Sequence, residues 1–333
     1  TLYSNALEPR GLGDYKIQFT GPTGTNAVEA ALKVARKAKN RSNVISFTNG
    51  FHGLSMGSLS ITANSVYHDP AYPQFSHVTQ APFDQYLGED YDTIDYLRRL
   101  LEDKSSGMQL PAAVILETVQ AEGGINVASP EWLKSLRQLC DDFDILMIVD
   151  DIQVGNGRTG PFFSFERAGI KPDIITLSKS IGAGQPMAVV LMKPEVDVWE
   201  PGEHTGTFRG NNLAFVASKT ALKRWENDEF QKSVEAKAEI VEKRFQEIAD
   251  KHSDLDASTR GLGMIQGLEI PVDGFAGDVS EEAFKNGLII ELAGAEDHVI
   301  KFLGALTIEE DVLQEGLDIL DNAIATVKER RQK

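Results

Sequence analysis

The sequence predicts an α/β protein with a mostly parallel central sheet that is flanked by helices. Apolar runs such as "ILMIVD" (145–150) and "IITL" (174–177) are continuous rather than alternating, which indicates strands covered on both faces. Helical patterns such as residues 131–142 lie between the runs, as strand-helix-strand units require. Further runs of this kind are "NVISF" (43–47), "AAVILE" (112–117) and "AVVLM" (188–192).

The character of the sequence changes after about residue 212, where a long helical stretch begins. We therefore predict a large domain of residues 1–225 and a smaller C-terminal α/β domain of residues 226–333. Because the chain starts at Thr1 rather than at a methionine, we also expect an N-terminal segment to be missing. The candidate strands of the smaller domain are residues 261–270, 287–292 and 298–303, and a final amphipathic helix follows them.

The composition is that of a soluble globular protein, with 41% hydrophobic and 25% charged residues. A formal net charge of −17 would repel nucleic acid and anionic membranes, so we expect neither as a partner. No apolar run approaches the roughly 20 residues that a membrane-spanning helix needs. The single cysteine, Cys140, excludes a cysteine-clustered metal site. These observations predict a cytoplasmic protein without a bound metal.

Two ionisable residues follow apolar runs. Asp150 ends "ILMIVD", where a buried carboxylate requires a cation or good hydrogen bonds. Lys179 follows "IITL" by two residues, and a partly desolvated lysine can form a Schiff base with a carbonyl. Ligands of covered parallel sheets bind at the carboxyl ends of the strands, so both residues are candidates for one site. The alternatives are a helix cap or internal salt bridge for Asp150, and an ordinary surface charge for Lys179.

A glycine-rich turn, "FTGPTGTNAVEAALK" (19–33), opens a helical pattern with Asn26 as a candidate cap. Free backbone N–H groups and the helix dipole favour phosphate at such a turn. Its spacing matches neither a nucleoside-triphosphate loop nor a dinucleotide fingerprint, and a simple tight turn is the alternative. A phosphate site, a carboxylate for a protonated ring nitrogen and a lysine for an aldehyde together predict pyridoxal 5'-phosphate as the cofactor.

The motifs resemble those of the class III aminotransferases, pyridoxal-phosphate enzymes of fold type I, from residue 21 to the last helix. In "TGTNAVEAALKVAR", the resemblance implies that Gly24 and Thr25 donate backbone N–H groups to the phosphate. "NGFHG" implies that Phe51 stacks on the cofactor ring, with His52 beside it. "VILETVQAEGG" resembles the glutamate-containing strand end of the family, which makes Glu117 a cofactor-site residue.

The resemblance also assigns the remaining cofactor contacts. "VDDIQVGNGRTG" implies Asp150 as the partner of the ring nitrogen and Gln153 as the partner of the phenolic oxygen. Asp151 stands where the family usually has glutamate. "TLSKS" implies that Lys179 forms the Schiff base. "GTFRGNNLA" implies that Thr207 reaches the phosphate of a partner subunit, and therefore a homodimer or higher homo-oligomer.

For the substrates, the resemblance implies an amino acid and an oxo acid. Many members carry arginine for a substrate carboxylate where this chain has Lys301, and Arg209 is a second candidate cation. Glu122 lies where the family has an acidic gate, so Glu122 and Lys301 are a predicted switch between amino donors. The alternative for Glu122 is a solvated loop acid.

Several segments are most similar to family members that move the amino group of glutamate onto aspartate 4-semialdehyde. The products would be 2-oxoglutarate and L-2,4-diaminobutyrate, in the first step of ectoine biosynthesis. Alternatives are an ω-aminotransferase for ornithine, acetylornithine or 4-aminobutyrate, a racemase or decarboxylase, and a non-enzymatic binding module for a phosphate ligand. The segments are "QFTGPTGTNAVEAALK", "TNGFHG", "PGEHTGTFRGNN" and "GAEDHVIKFL".

Overall fold

A computed structural model describes residues 1–72 and 77–332. Within these ranges, no helix is long and apolar enough to cross a membrane. The strands are β1 (Lys16–Phe19), β2 (Val44–Phe47), β3 (Val78–Ala81), β4 (Ala113–Leu116), β5 (Val119–Gln120), β6 (Asn126–Val127), β7 (Leu146–Asp150), β8 (Ile174–Leu177), β9 (Val189–Met192), β10 (Ser258–Leu262), β11 (Ile265–Glu269), β12 (Glu291–Ala293) and β13 (Val299–Phe302). The α-helices are α1 (Gly24–Lys39), α2 (Met56–Ser60), α3 (Thr93–Glu102), α4 (Pro130–Asp142), α5 (Asn212–Leu222), α6 (Glu229–Lys251), α7 (Phe275–Lys285) and α8 (Glu310–Arg331).

The larger sheet has the strand order β1-β9-β8-β7-β4-β2-β3 in the described residues. Its strands β3, β2, β4, β7 and β8 are mutually parallel, whereas β9 is antiparallel to both of its neighbours. The predicted α/β class with a mostly parallel sheet is therefore confirmed. Each of the five predicted apolar runs forms a strand, but β1 and β3 were missed. Both are edge strands with partly exposed side chains, so neither needs a continuous apolar run.

Two apolar clusters cover the two faces of this sheet. Ile148 of β7 belongs to the cluster that α1 completes. Its neighbours Met147 and Val149 belong to the cluster that includes residues of α3 and α4. Successive side chains of a strand point to opposite faces, so a strand buried on both faces must be apolar at each position. This burial explains the continuous apolar pattern of the sequence.

The smaller sheet is antiparallel, with the order β10-β11-β13-β12. It packs against α6, α7 and α8 through a separate apolar cluster. The prediction of a single strand at 261–270 is wrong, because β10 and β11 form a hairpin there. Gly263 has a φ of 64° in the turn, and a Cβ at this position would lie 2.7 Å from backbone atoms of Arg158 and Thr159. The predicted division of the chain at residue 225 stays a prediction.

Candidate active site

The carboxyl ends of β7 and β8 lie side by side and carry Asp150 and Lys179. Asp150 is in register with Thr176, whose hydroxyl donates a hydrogen bond to Asp150 Oδ1 (3.0 Å). Lys179 follows three residues later with a φ of 47°, an unfavourable conformation for a residue other than glycine. Its Nζ donates a hydrogen bond to Gln153 Oε1 (2.5 Å). The structure thus brings both predicted residues to one sheet edge, but Lys179 is exposed rather than partly desolvated.

The buried carboxylate of Asp150 has a histidine partner. His52 Nδ1 lies 2.8 Å from Asp150 Oδ2, and both side chains are almost fully buried. Burial alone would lower the pKa of His52, but the hydrogen bond and the negative charge of Asp150 raise it. The backbone N–H of Ile152 donates a further hydrogen bond to Asp150 Oδ1 (3.2 Å). These contacts compensate the cost of burying an ionised carboxylate.

Glu117 follows β4 directly and holds the loop that carries Phe51 and His52. Its carboxylate accepts hydrogen bonds from the backbone N–H groups of Phe51 (2.9 Å) and Ala121 (3.4 Å). Burial raises the pKa of Glu117 to about 7, although the positive charge of His52 opposes that rise. The Phe51 ring is half-buried and makes an edge contact with Tyr67 (5.4 Å between centroids). Glu117 therefore positions the backbone of Phe51, and its predicted role in binding the cofactor stays a prediction.

Helix α1 presents an N-terminus without a side-chain cap. Thr23 is the N-cap residue but makes no capping hydrogen bond, and the first turn contains no acidic residue. The prediction of Asn26 as the cap is wrong, because the helix begins two residues earlier at Gly24. Asn26 Oδ1 instead accepts a hydrogen bond from the Thr23 hydroxyl (2.8 Å). Uncapped N–H groups at the start of a 16-residue helix are suited to an anion.

Three hydroxyl groups adjoin this N-terminus. Thr25 Oγ1 lies 2.6 Å from Ser55 Oγ and 2.5 Å from Ser58 Oγ. A Cβ at Gly24 would lie 3.1 Å from two side-chain atoms of Ile152, which belongs to the loop after β7. Glycine therefore allows α1 to approach this loop closely. The helix N-terminus and the ends of β7 and β8 consequently lie in one region.

A row of polar contacts leads from Lys179 into the smaller sheet. Gln153, which accepts from Lys179, donates through Nε2 to Glu122 Oε1 (2.9 Å). Lys301 Nζ donates to the same oxygen (2.9 Å) and lies 2.9 Å from Glu291 Oε2. We call these five residues the polar row. The structure thus brings the predicted pair of Glu122 and Lys301 together.

The charges at the centre of the polar row stabilise each other. Burial would lower the pKa of Lys301, yet the carboxylates of Glu122 and Glu291 raise it. Burial would likewise raise the pKa of Glu122, but hydrogen bonds from Gln153 and Lys301 and the charge of Lys301 lower it. Lys301, with 1% of its side chain exposed, is therefore held as an ammonium group in the interior.

The structure does not bring Thr207 or Arg209 to these residues. Thr207 is exposed and precedes Phe208, which is 87% exposed. Arg209 lines a separate cavity beside the edge strand β1, together with Trp199. Within the described chain, Arg209 makes no hydrogen bond or ion pair with the polar row.

Sequence reasoning missed two polar residues of the site. Thr176 lies inside an apolar run, and only its position opposite Asp150 shows that its hydroxyl supports the carboxylate. Glu291 follows the apolar segment "GLII" and contacts Lys301 because β12 pairs with β13. No local pattern marks either residue, since both contacts depend on strand pairing.

The residues present fit pyridoxal 5'-phosphate. The uncapped N-terminus of α1 suits the phosphate, the buried Asp150 suits a protonated ring nitrogen, and the amine of Lys179 suits the aldehyde. The half-buried ring of Phe51, whose backbone is held by Glu117 at the end of β4, offers an aromatic face. Fold and site together define a pyridoxal-phosphate-dependent enzyme of fold type I.

Comparison with known proteins gives the family. A family model described as aminotransferase class-III matches residues 10–324, and the chain belongs to this family of pyridoxal-phosphate enzymes. A diaminobutyrate–2-oxoglutarate transaminase of Wolinella succinogenes is 59% identical over 332 residues, which cover 100% of this chain and 78% of the relative. An enzyme of the same name from Halomonas elongata is 53% identical and covers 97% of this chain and 78% of its own length.

Solved structures agree with the fold. An S-selective transaminase from Bacillus megaterium superposes with a TM-score of 0.87 at 22% identity, covering 98% of this chain and 79% of its own. The ornithine aminotransferase of Toxoplasma gondii has a TM-score of 0.84 at 26% identity, covering 98% and 75% respectively. The predicted class III family, aminotransferase activity and cofactor are confirmed.

The buried carboxyl group of Asp151 makes stability depend on pH. Burial raises its pKa to about 7, although hydrogen bonds from the hydroxyl and the N–H of Ser164 oppose that rise. An unfolded chain loses this proton near pH 4. The folded state therefore retains the proton up to a higher pH than the unfolded chain does. The free energy of unfolding consequently falls as pH rises from about 4 through about 7.

We expect Asp151→Asn to reduce this fall in stability. The amide keeps the contacts with Ser164 but carries no proton to lose, so the variant should avoid a loss on the order of 3 kcal/mol. Thermal unfolding midpoints between about pH 5 and about pH 8 measure the effect. The control is Asp141→Asn, an exposed carboxylate of α4. Parallel pH profiles for Asp151→Asn and the unmodified chain would contradict the expectation.

Proposed function

We propose that this chain transfers the amino group of glutamate to aspartate 4-semialdehyde, giving 2-oxoglutarate and L-2,4-diaminobutyrate. The observation that carries the proposal is the 59% identity to a diaminobutyrate–2-oxoglutarate transaminase over the whole chain, combined with the placement of Asp150, Lys179 and the N-terminus of α1 in one region. We further propose that the enzyme is cytoplasmic and acts in the first step of ectoine biosynthesis.

The residues of the site have different roles in the proposed reaction. Pyridoxal phosphate, when bound, supplies a carbonyl group that takes up amines and a ring that withdraws electrons from the reacting carbon. Lys179 Nζ acts as the base that removes a proton from that carbon and as the acid that returns it. Asp150 keeps the proton on the ring nitrogen, because a buried anion stabilises a neighbouring positive charge. His52 and Thr176 hold Asp150 in place through their hydrogen bonds.

The pair of Glu122 and Lys301 provides for two different amino donors. Glutamate carries a second carboxylate, and Lys301 is the cation within the polar row that such a group would meet. When Glu122 accepts from Lys301, as in this structure, that charge is neutralised. We propose that the ion pair opens when glutamate is bound and closes when the other substrate is bound. Lysine offers no bidentate fork, so its contact with a carboxylate is less directional than that of arginine.

An assay of purified protein with glutamate and aspartate 4-semialdehyde tests the proposed function. Formation of 2-oxoglutarate and diaminobutyrate in equal amounts is the expected result. Ornithine, acetylornithine and 4-aminobutyrate should serve as much poorer amino donors than diaminobutyrate in the reverse direction. A clear preference for one of these three would replace the proposed substrate. A protein that takes up no pyridoxal phosphate would instead support the alternative of a non-enzymatic binding module for a phosphate ligand.

We also propose a homodimer in which Thr207 of one subunit reaches the phosphate site of the other. The surface beside Thr207 is apolar: Phe208 is 87%, Leu213 71% and Val216 67% exposed. Contiguous apolar exposure of this kind is typical of protein interfaces. Thr207, in the same segment, is the predicted cofactor residue that lies apart from the others in the described chain. Assembly with a second copy would account for both features.

We expect Phe208→Glu to convert the dimer to a monomer and to weaken cofactor binding. A charge at a buried interface position costs several kcal/mol when unpaired, enough to reduce association by about 100-fold or more. Size-exclusion chromatography with light scattering measures the mass. Phe284→Glu on α7 is a matched control, because Phe284 is also largely exposed (68%). An unchanged dimer for Phe208→Glu would overturn this assignment of the interface.

A further inference from the structure

Glu291 occupies the outer end of the polar row. It lies directly opposite Lys301 in the register of β12 and β13, and Lys301 Nζ is 2.9 Å from Glu291 Oε2. The two side chains differ in exposure, since Lys301 is 1% and Glu291 60% exposed. A buried cation thus holds one oxygen of a carboxylate whose other part faces solvent.

The carboxylates of Glu122 and Glu291 both contact the single ammonium group of Lys301. The other cation of the polar row, Lys179, lies at its opposite end. In residues 1–72 and 77–332, Glu291 has no partner besides Lys301. The exposed part of the Glu291 side chain is where a further cation can reach this carboxylate. The polar row connects this carboxylate by hydrogen bonds and ion pairs to the amine of Lys179.

We infer that Glu291 binds the α-ammonium group of an amino acid that reacts at its opposite end. The inference rests on the proposed function and names a specificity residue for it. Both diaminobutyrate and aspartate 4-semialdehyde carry an α-ammonium group that takes no part in the transfer. A partly exposed carboxylate held by Lys301 at the end of the polar row provides the opposite charge that this group requires.

Glutamate would present different charges to the side chain at position 291. Its α-nitrogen is the group that reacts, so its remaining charges are two carboxylates. A carboxylate at position 291 offers these no favourable contact. Glu291 therefore distinguishes the two substrates of one enzyme, favouring the one that keeps a spectator ammonium group.

A purely structural explanation predicts a different behaviour. As a cross-strand ion pair, Glu291 would stabilise the pairing of β12 with β13 and nothing else. Its removal would then lower the unfolding temperature without changing the preference between substrates. The two explanations separate when both amino donors are measured on the same variant.

The test compares Glu291→Gln with the unmodified holoenzyme. We expect the KM for diaminobutyrate, with 2-oxoglutarate as acceptor, to rise about tenfold to a hundredfold, because a charge-assisted hydrogen bond is lost. The KM for glutamate, with aspartate 4-semialdehyde as acceptor, should not rise, because Lys301 keeps its charge for the second carboxylate of glutamate and loses a competing carboxylate. Glu291→Asp keeps the charge and should recover part of the affinity.

A second measurement does not depend on turnover. Diaminobutyrate should raise the unfolding midpoint of the unmodified holoenzyme and should raise that of Glu291→Gln much less, whereas glutamate should raise the midpoint of the variant at least as much as that of the unmodified holoenzyme. Glu282→Gln is the control, since Glu282 pairs with Lys285 and Arg330 on another surface. Equal changes in KM for both donors, or no change, would refute the inference. If the unmodified enzyme does not use these two donors at all, the proposed function fails and the inference fails with it.

Discussion

Replacement of Lys179 by alanine will abolish transamination. The side chain is the amine at the carboxyl end of β8, and its Nζ already contacts Gln153 of the adjacent loop. Loss of a covalent attachment point and of the general base should lower kcat by at least about a thousandfold. Steady-state formation of 2-oxoglutarate from glutamate measures the loss.

Two further lysine variants sharpen this experiment. Lys179→Arg keeps a positive charge but supplies no amine that can be deprotonated, so it should be as inactive as the alanine variant. Lys171 is an exposed lysine before the opposite end of β8, where it donates to the carbonyl of Gly11 (2.9 Å). Lys171→Ala should retain activity within about twofold, since its charge lies away from the carboxyl edge. An active Lys179→Ala enzyme would disprove the assignment of the site.

Replacement of Asp150 by asparagine will slow transamination severely while the phosphate is still bound. The substitution conserves shape but removes the negative charge that we assign to the ring nitrogen. Removing one preorganised electrostatic contact typically costs about 10²- to 10³-fold in kcat. The N-terminus of α1 is unaffected, so the dissociation constant of the cofactor should change much less than kcat. Activity measurements and cofactor titration of the same variant separate the two effects.

Asp173→Asn provides a matched control for Asp150→Asn. Asp173 lies just before β8, at the end of the strand opposite the site. It is also buried and paired, but its partners are Arg137 (2.7 Å) and Lys193 (2.6 Å). Its replacement leaves two cations without their common partner and should lower the unfolding midpoint. It should not lower kcat more than a few fold at a temperature where the variant is folded. If both variants lost activity equally, the effect of Asp150→Asn would be one of stability.

The strands of the large sheet were predictable because each is buried on both faces. The run at β7 is continuous because Met147 and Val149 face one cluster while Ile148 faces the other. Edge strands β1 and β3 have no such requirement and carry no such signal. The hairpin of β10 and β11 was read as one strand, since the conformation of Gly263 depends on its contact with the backbone of Arg158.

The sequence by itself determined the fold class and the two central residues of the proposed reaction, Asp150 and Lys179. Asp150 and Lys179 each follow an apolar run that must be a strand, and in a covered parallel sheet such positions meet at one edge. Helix α1 was similarly marked by a glycine-rich turn. These are local signals, because burial and helix initiation depend on residues close in the chain.

Only the tertiary structure decided what surrounds that centre. His52 becomes the hydrogen-bond partner of Asp150 because the loop after β2 folds over the end of β7. Lys301 becomes a buried ammonium group because the register of β12 and β13 places Glu291 on one side while the turn after β5 places Glu122 on the other. Such contacts join residues far apart in sequence, and no periodicity encodes them. The charge balance of the site is therefore a property of strand pairing.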